Sequence, residues 1–288
     1  MNVLTQAVIS GMMSGAVYAL LATGLVLAFQ TSRVVNLAHG ETYAVGGLAA
    51  SATAAAGQPL YLALLAGLAA ATLVSLLVER LLLRPRRHWP IPSLILVTLA
   101  ASFLIRGVLQ VVMGVDALSF PRLFAGPPIR FLDGALPRQG LGLVLVGIAA
   151  ALSVIVFLMY TPLGRQTRAT AENSDAAELL GVDVGRIRTL AFGMAGMLGG
   201  LASMLLVPLV SVDFQAGLGM TLRGFIAAAL AGMSPRLVIF TALGLGLAEA
   251  FVTTYLGALA QDPIVFLALI GVALWQSRHI RFSGSARA

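Results

Sequence analysis

The residues that could carry chemistry are few in this sequence. It holds three histidines, His39, His88 and His279, and has neither cysteine nor lysine. No H-E-x-x-H, G-x-S-x-G or Cys/His cluster occurs, and His39 with Glu41 offers too few ligands for a metal site. Because a Walker A loop needs a lysine, the chain cannot hydrolyse ATP by itself. The pattern argues against an enzyme and predicts no cofactor and no metal.

Three ionisable residues lie inside long apolar stretches: Glu41, Arg106 and Glu249. A charged side chain at the centre of a membrane helix costs about 2.5–3.5 kcal/mol on insertion scales, so such residues need a reason to be there. Two interpretations stay open, a polar substrate path and an internal salt bridge between helices. Thr253 and Thr254 lie one turn from Glu249, which predicts that Glu249 faces other helices rather than lipid.

The composition is that of a membrane protein. Of the 288 residues, 59% are hydrophobic and 10% are charged, whereas soluble domains carry about 25% charged residues. The net charge of +7 comes entirely from arginines at the ends of apolar segments, which favours orientation in a lipid membrane over binding of nucleic acid. The sequence predicts an all-α, polytopic integral membrane helical bundle, with residues 1–288 forming a single transmembrane domain.

The apolar runs predict eight or nine membrane segments. Two of them carry the G-x-x-x-G spacing, at Gly11 and Gly15 and at Gly196 and Gly200, which permits close helix approach. Residues 115–140 and 213–222 are interpreted as outer loops, and the run 224–233 is short for a span. The predicted spans are residues 8–29, 60–83, 94–114, 141–160, 191–210, 237–256 and 263–275.

Residues 31–50 form the least regular segment. Asn36, His39 and Glu41 lie where a membrane segment should begin, and Gly40, with Gly46 and Gly47, weakens its helix. For this reason we expect a broken or re-entrant element here. Such backbone is tolerated at membrane depth only where protein or a water-filled cavity surrounds it. The sequence therefore predicts that this break lies close to a translocation path or to the helix that gates it.

The arginines predict the orientation. With residues 161–190 inside, thirteen arginines face the cytoplasm, and Arg122, Arg130, Arg138 and Arg223 face outside. No basic residue precedes Arg33, which argues against a cleaved signal. The C-terminus is expected in the cytoplasm, and the N-terminus outside if nine segments cross. The thirteen are Arg33, Arg80, Arg84, Arg86, Arg87, Arg165, Arg168, Arg186, Arg188, Arg236, Arg278, Arg281 and Arg287.

The cytoplasmic loop at residues 161–190 has a pattern of its own. Asp175 can cap a short helix with Glu178 three residues later, and Gly181 can end it. Ala176, Leu179 and Leu180 then share one apolar face. Two interpretations stay open: this face docks into a partner's groove, or the helix lies on the membrane surface or on its own bundle.

Three stretches resemble the LivH-type permeases, the membrane subunits of ABC importers for branched-chain amino acids. The first is GAVYALLATGLVLAFQTSRVVNLAHGETYAVGG, in which N-L-A-H-G-E is the most specific run. The second contains D-A-A-E-L-L-G, similar to the E-A-A-x-x-x-G coupling motif with Asp175 in place of the first Glu. The third is LRGFIAAALAGMSPRLVIFTALGLGLAEAF, where A-G-M-S-P-R replaces a glycine-rich turn of the family. Together they cover nearly the whole chain.

The resemblance implies an inner-membrane permease that imports branched-chain amino acids and is not an enzyme. Its partners would be a LivM-like permease, two cytoplasmic subunits that bind ATP and Mg²⁺, and a periplasmic binding protein. Relatives that import urea, short amides or other amino acids leave the substrate open, and an ATP-independent secondary transporter or channel is the remote alternative. The path residues would be Asn36, His39, Gly40, Glu41 and Glu249. The coupling residues would be Asp175, Ala176, Ala177, Glu178, Leu179, Leu180 and Gly181.

Overall fold

The computed structural model describes residues 3–131, 134–260, 263–264, 266–267 and 270–271. The described chain is helical apart from one antiparallel hairpin of two short strands. In chain order the elements are α1 (Val3–Ser32), α2 (Glu41–Ala55), α3 (Leu60–Leu77), α4 (Ile91–Met113), β1 (Ile129–Phe131), β2 (Gly134–Leu136), α5 (Arg138–Tyr160), α6 (Pro162–Glu172), α7 (Ser174–Leu179), α8 (Val184–Leu206), α9 (Ala216–Leu230) and α10 (Val238–Leu256).

Six of these helices are long and apolar enough to cross a membrane: α1, α3 with its continuation to Arg86, α4, α5, α8 and α10. The predicted all-α membrane bundle is therefore confirmed. The helices α2 and α9 have 15 residues each, which is about 22 Å and short of a 30 Å hydrocarbon core. The predicted segment 263–275 lies largely outside the described residues, as do Asp133, Arg278, Arg281 and Arg287.

Helix α1 forms the centre of the bundle and packs directly on α10. A Cβ atom on Gly11 would lie 2.8 Å from the Cα of Leu247, and one on Gly15 would lie 2.8 Å from the Cα of Leu243. The residue numbers rise along α1 while those of its contacts on α10 fall, so the two helices are antiparallel. The first G-x-x-x-G is thus a helix contact, as predicted.

The second G-x-x-x-G, on α8, lies against α3. Cβ atoms on Gly196 and Gly200 would lie 2.7 Å from Ser75 Cβ and 2.8 Å from Ala71 Cβ. The same face of α8 receives α2, because a Cβ on Gly46 would approach the Cα of Gly200 to 2.9 Å. Gly46 and Gly47 do not interrupt the helix, although glycine has a low intrinsic preference for it. Both lie inside α2, where their missing side chains let two helices touch.

The predicted helix over residues 60–83 is confirmed, but its last part is not α-helical. From Val78 to Leu83 the chain forms a π-helix, followed by a 3₁₀ turn at Arg84–Arg86. The wider π turn places Glu79 in the protein, fully buried, where one oxygen accepts a hydrogen bond from Thr189 Oγ1 at 3.3 Å. No local pattern marks Glu79 as buried, because it stands directly before Arg80 at the basic end of the helix.

Two boundaries in the C-terminal half were predicted wrongly. Residues 216–222 are not an outer loop but the first half of α9, and α8 begins at Val184 rather than at residue 191. Glycines and polar residues such as Thr221 and Arg223 resemble a loop in sequence. In the structure they lie between helices, where neighbouring chain segments satisfy their polar groups.

Most of the arginines gather at one end of the bundle. Arg33 donates a hydrogen bond to the carbonyl of Ala171, and Arg188 Nε donates to the carbonyl of Thr31 at 3.2 Å. A cavity at the same end is lined by Gln30, Tyr160, Arg168 and Arg236, among others. The opposite end carries the β1–β2 hairpin and a backbone bridge between Leu118 and Val212.

Candidate functional site

Residues 33–40 interrupt the helical structure between α1 and α2, as the sequence predicted. Arg33 ends α1 with a positive φ of 58°. The side chain of Asn36 accepts a hydrogen bond from the backbone N–H of Ala38 at 3.0 Å, which shapes a tight turn before Gly40. The chain then enters α2 at Glu41. Asn36, His39 and Glu41 are all buried, so the break lies inside the protein.

Two threonines from other helices hold this break. Thr98 of α4 accepts a hydrogen bond from the backbone N–H of Leu37 at 3.1 Å. Thr221 of α9 accepts one from the N–H of Gly40 at 2.9 Å and lies 3.2 Å from the carbonyl of Leu37. Irregular backbone at membrane depth needs such partners, because lipid offers none. The break is thus clamped between α4 and α9.

His39 faces α1. Its Nε2 donates to the carbonyl of Leu21 at 3.0 Å, since a carbonyl can only accept. Gly24 makes room for the ring, because a Cβ there would lie 2.9 Å from His39 Cε1. His39 therefore does not pair with Glu41, although the two are close in sequence.

Glu41 faces α4 and forms an ion pair with Arg106. Arg106 Nε lies 3.0 Å from Glu41 Oε1, which also accepts a hydrogen bond from Ser102 Oγ at 2.6 Å. The carboxylate lies against Gly217 of α9, where a Cβ atom would overlap it. Ser102 is the twelfth of the 23 residues of α4, so this pair lies near mid-depth of the bundle.

Glu249 lies in a second ion pair, on the other side of α9. Arg223 Nε is 3.2 Å from Glu249 Oε1, and Tyr18 Oη donates to Oε2 at 2.5 Å. This contact joins α1, α9 and α10 at mid-depth. Glu249 faces the bundle, as predicted, but Arg223 does not face outside, and that prediction was wrong. The internal salt bridge that the sequence left open is present for both acids.

The predicted coupling segment forms α7 and the turn after it. Gly181 follows the helix with a φ of 83°, so it ends α7 as predicted. The cap differs from the prediction: Asn173 caps the helix, accepting from the N–H groups of Asp175 and Ala176. Asparagine takes this role because α6 ends one residue before it, which leaves Asp175 in the first turn.

The two faces of α7 differ in exposure. Ala177 is 2% exposed and is the one α7 residue buried in the described chain. Leu179 is 89% and Leu180 is 84% exposed, and Ala176 is exposed beside them. The apolar face predicted from Ala176, Leu179 and Leu180 is therefore formed, and within the described residues it is uncovered.

Comparison with known proteins decides the family. Residues 7–274 match the family described as the permease component of the branched-chain amino acid transport system. The chain belongs to this permease family. It is the membrane-spanning, non-catalytic subunit of an ABC importer, a multi-pass membrane protein that works with ATPase and binding-protein partners. The family indicates no cofactor site, and the described residues contain no cluster of metal ligands.

Two relatives and one solved structure give the degree of similarity. The permease is 27% identical to the high-affinity branched-chain amino acid transport permease LivH of Escherichia coli K12, over 93% of this chain and 92% of LivH. It is 28% identical to the autoinducer 2 import system permease LsrC of an Enterobacter strain, over 92% of this chain and 77% of LsrC. A proposed metal-chelate type ABC transporter in an inward-facing conformation shares the fold, with a TM-score of 0.52, 17% identity and coverage of 93% and 85%.

Sequence reasoning missed several residues of the permease's buried polar network. Ser102 could have been found, because it lies one helical turn before Arg106. Thr98, Thr221 and Tyr18 carry no such signal, since their partners lie far away in the chain. Tyr18 and Glu249, for example, are 231 residues apart.

Proposed function

We propose that this permease imports branched-chain amino acids, forming the pore together with a LivM-like permease. The observation that carries the proposal is the match to the LivH relative along nearly the full length of both chains. The similarity to the autoinducer 2 import permease supports that compound as a second candidate substrate. In either case residues 1–288 would act as a single transmembrane domain.

Reconstitution tests the substrate. The complex with its ATPase subunits and binding protein is placed in liposomes, and ATP-dependent uptake of labelled leucine, isoleucine and valine is measured. We expect saturable uptake of all three. Uptake of autoinducer 2, with no uptake of the amino acids, would reject the first candidate and support the second.

We propose that the basic end of the bundle faces the cytoplasm. Thirteen arginines were predicted to face the cytoplasm. Ten of them are among the described residues and lie in the segments at the basic end of the bundle, at residues 33, 80–87, 165–188 and 236. Arginine flanking a membrane segment holds that end inside. Since α1 runs toward this end, the N-terminus would lie in the periplasm, and the C-terminus is proposed to be cytoplasmic.

We propose that Asn36, His39, Gly40 and Glu41 lie beside the path or in the segment that gates it. Their backbone is irregular at mid-depth and depends on α4 and α9 for its hydrogen bonds, so a shift of either helix would move it. Glu249 joins this proposal through α9, which contacts Gly40 by way of Thr221 and Glu249 by way of Arg223.

We propose that residues 175–181 couple ATP hydrolysis to the pore. Leu179 and Leu180 would enter a groove of the ATPase subunit, while Ala177 anchors α7 to its own chain. A short helix suffices for this because only four residues separate the end of α7 from the start of α8, which leads directly into the bundle. Asp175 and Glu178 would lie at the polar rim of that contact.

The coupling role is tested by making the exposed face polar. In the variant Leu179→Asp/Leu180→Asp we expect the ATPase subunits to be lost on purification, or hydrolysis to lose its stimulation by loaded binding protein. The bundle itself should stay folded, because these side chains are exposed. The control is Val210→Asp, an exposed apolar residue at the opposite end, which should retain the ATPase subunits. Normal retention and stimulation in the double variant would reject the coupling role.

A further inference from the structure

The exposed surface of α4 divides into two stripes of different chemistry. We call Leu104, Val108 and Val111 the aliphatic stripe; all three are exposed. We call Arg106, Gly107 and Gln110 the polar stripe; Gly107 and Gln110 are exposed, Arg106 is partly so, and the ring of Phe103 is exposed beside Arg106. Of the six long helices that the structure describes, α4 is the least buried. Its outer surface must therefore meet something other than this bundle.

Only the aliphatic stripe suits lipid. A guanidinium or amide group facing hydrocarbon near mid-depth would carry a cost of about 2.5–3.5 kcal/mol for arginine on insertion scales. Gly107 adds an open space, because among the described residues no atom lies within 4 Å of the position of its Cβ. A stripe that combines charge, amide and open space is typical of a surface that meets water.

The ion pair on α4 turns its positive end toward this stripe. The side chain of Glu41 is fully buried, whereas that of Arg106 is 15% exposed. The guanidinium of Arg106 also lies over the ring of Phe103, 5.0 Å from its centre, so it extends toward the exposed side. Glu41 therefore lies deeper in the protein than Arg106. A solute at the polar stripe would meet positive potential first, and in a narrow, low-dielectric cleft such a field is focused.

We propose that the polar stripe forms a wall of the translocation path and that Arg106 sets the charge preference there, favouring solutes that carry a carboxylate. This inference rests on the proposed function for the existence of a path. The α-carboxylate is common to all amino acids, so Arg106 would select the class of solute and not its side chain. Glu41 and Ser102 would act as positioning residues, because they hold the guanidinium without facing the stripe.

Single cysteines test the path, since the chain has none of its own. In the assembled complex we place cysteine at Gly107 or Gln110, and as matched controls at Leu104 or Val108 on the same helix. Labelling of this chain by small charged methanethiosulfonate reagents is then followed. We expect reaction at both polar-stripe positions and none at the controls. The proposal would be overturned if either Gly107→Cys or Gln110→Cys did not react, or if the two stripes were labelled equally.

The charge preference is measured at Gln110→Cys, one helical turn from Arg106. The ratio of the labelling rates of the anionic and cationic reagents should fall at least about threefold when both charges are removed in Glu41→Gln/Arg106→Gln, given the roughly 6 Å between the two positions. The double variant avoids an uncompensated buried charge. Arg106→Lys should keep the ratio. Removing an exposed charge at the basic end, in Arg236→Gln, should leave it unchanged.

An unchanged ratio in Glu41→Gln/Arg106→Gln would overturn the role of Arg106. So would an equal fall in Arg236→Gln. These labelling rates do not depend on which solute the transporter imports. A wrong substrate in the proposed function would therefore leave them intact, whereas an error in this inference would leave amino-acid uptake by the wild-type complex intact.

Discussion

Two ion pairs of the same composition lie near mid-depth of this permease, in different surroundings. Glu41 with Arg106 joins α2 to α4, and Glu249 with Arg223 joins α10 to α9. In both pairs the carboxylate is buried, a hydroxyl group donates to it, at 2.6 Å and 2.5 Å, and the guanidinium is 15% and 16% exposed.

The helices that carry the arginines differ. On α4 the residues Phe103, Gly107 and Gln110 around Arg106 are exposed, whereas α9 has no exposed residue from Ala216 to Ala229. The hydroxyl partners differ as well: Ser102 belongs to the same helix as Arg106, but Tyr18 comes from a third helix, α1. An ion pair of the same two residue types therefore joins three packed helices at Glu249 and borders an exposed helix surface at Glu41.

The largest effect is expected where α1 and α10 touch beside the enclosed pair. A side chain on Gly246 would overlap the backbone of Gly15 and Gly11, which cannot move aside as a side chain would. Overpacking costs about 1–3 kcal/mol where neighbouring side chains can move aside, but an overlap with backbone leaves no such relief, so Gly246→Leu should prevent the α1–α10 contact from forming. We expect little folded complex on size-exclusion chromatography.

The control for that variant is Gly244→Leu, on the same helix. Within the described chain no atom lies within 4 Å of its Cβ position, so the same gain in hydrophobicity should be tolerated. Equal yields of the two variants would show that the α1–α10 contact does not govern assembly.

A smaller difference is expected between the two acids. Glu249→Ala removes the carboxylate that compensates Arg223 among packed helices, and breaking a buried pair costs about 3–5 kcal/mol. In Glu41→Ala, Arg106 can turn toward the exposed side of α4, so we expect a loss of about 1–2 kcal/mol. The thermal midpoint of the purified complex should fall further for Glu249→Ala. A larger fall for Glu41→Ala would reverse the comparison.

The smallest effects should come from the hydroxyl groups. Tyr18→Phe and Ser102→Ala each remove one donor to a carboxylate that keeps its arginine partner, and a single hydrogen bond contributes a net of about 0.5–1.5 kcal/mol. Tyr18→Phe should cost more, because it removes the hydrogen bond between α1 and Glu249 of α10. In Ser102→Ala the ion pair with Arg106 still joins Glu41 to α4. The two thermal midpoints decide this, and equal shifts would argue that α1 does not depend on Glu249.

Much of the architecture followed from the sequence alone. The low charge and long apolar runs identify a membrane bundle, because a bilayer leaves few structures available to such segments. The break at residues 33–40 and the end of α7 at Gly181 were also predictable, since both depend on local backbone preferences. The family resemblance of N-L-A-H-G-E and D-A-A-E-L-L-G is likewise a property of short contiguous stretches.

Only the tertiary structure decided which polar groups meet. In sequence Arg223 resembles a loop residue, but α9 places it among other helices beside Glu249. Thr221 carries no signal in the sequence, and only the fold brings it to Gly40. Asn173 rather than Asp175 caps α7, because α6, a helix that was not predicted, ends directly before it. Local patterns determine where helices form. The partners of buried charges depend instead on contacts between segments tens to hundreds of residues apart, which no pattern along one stretch contains.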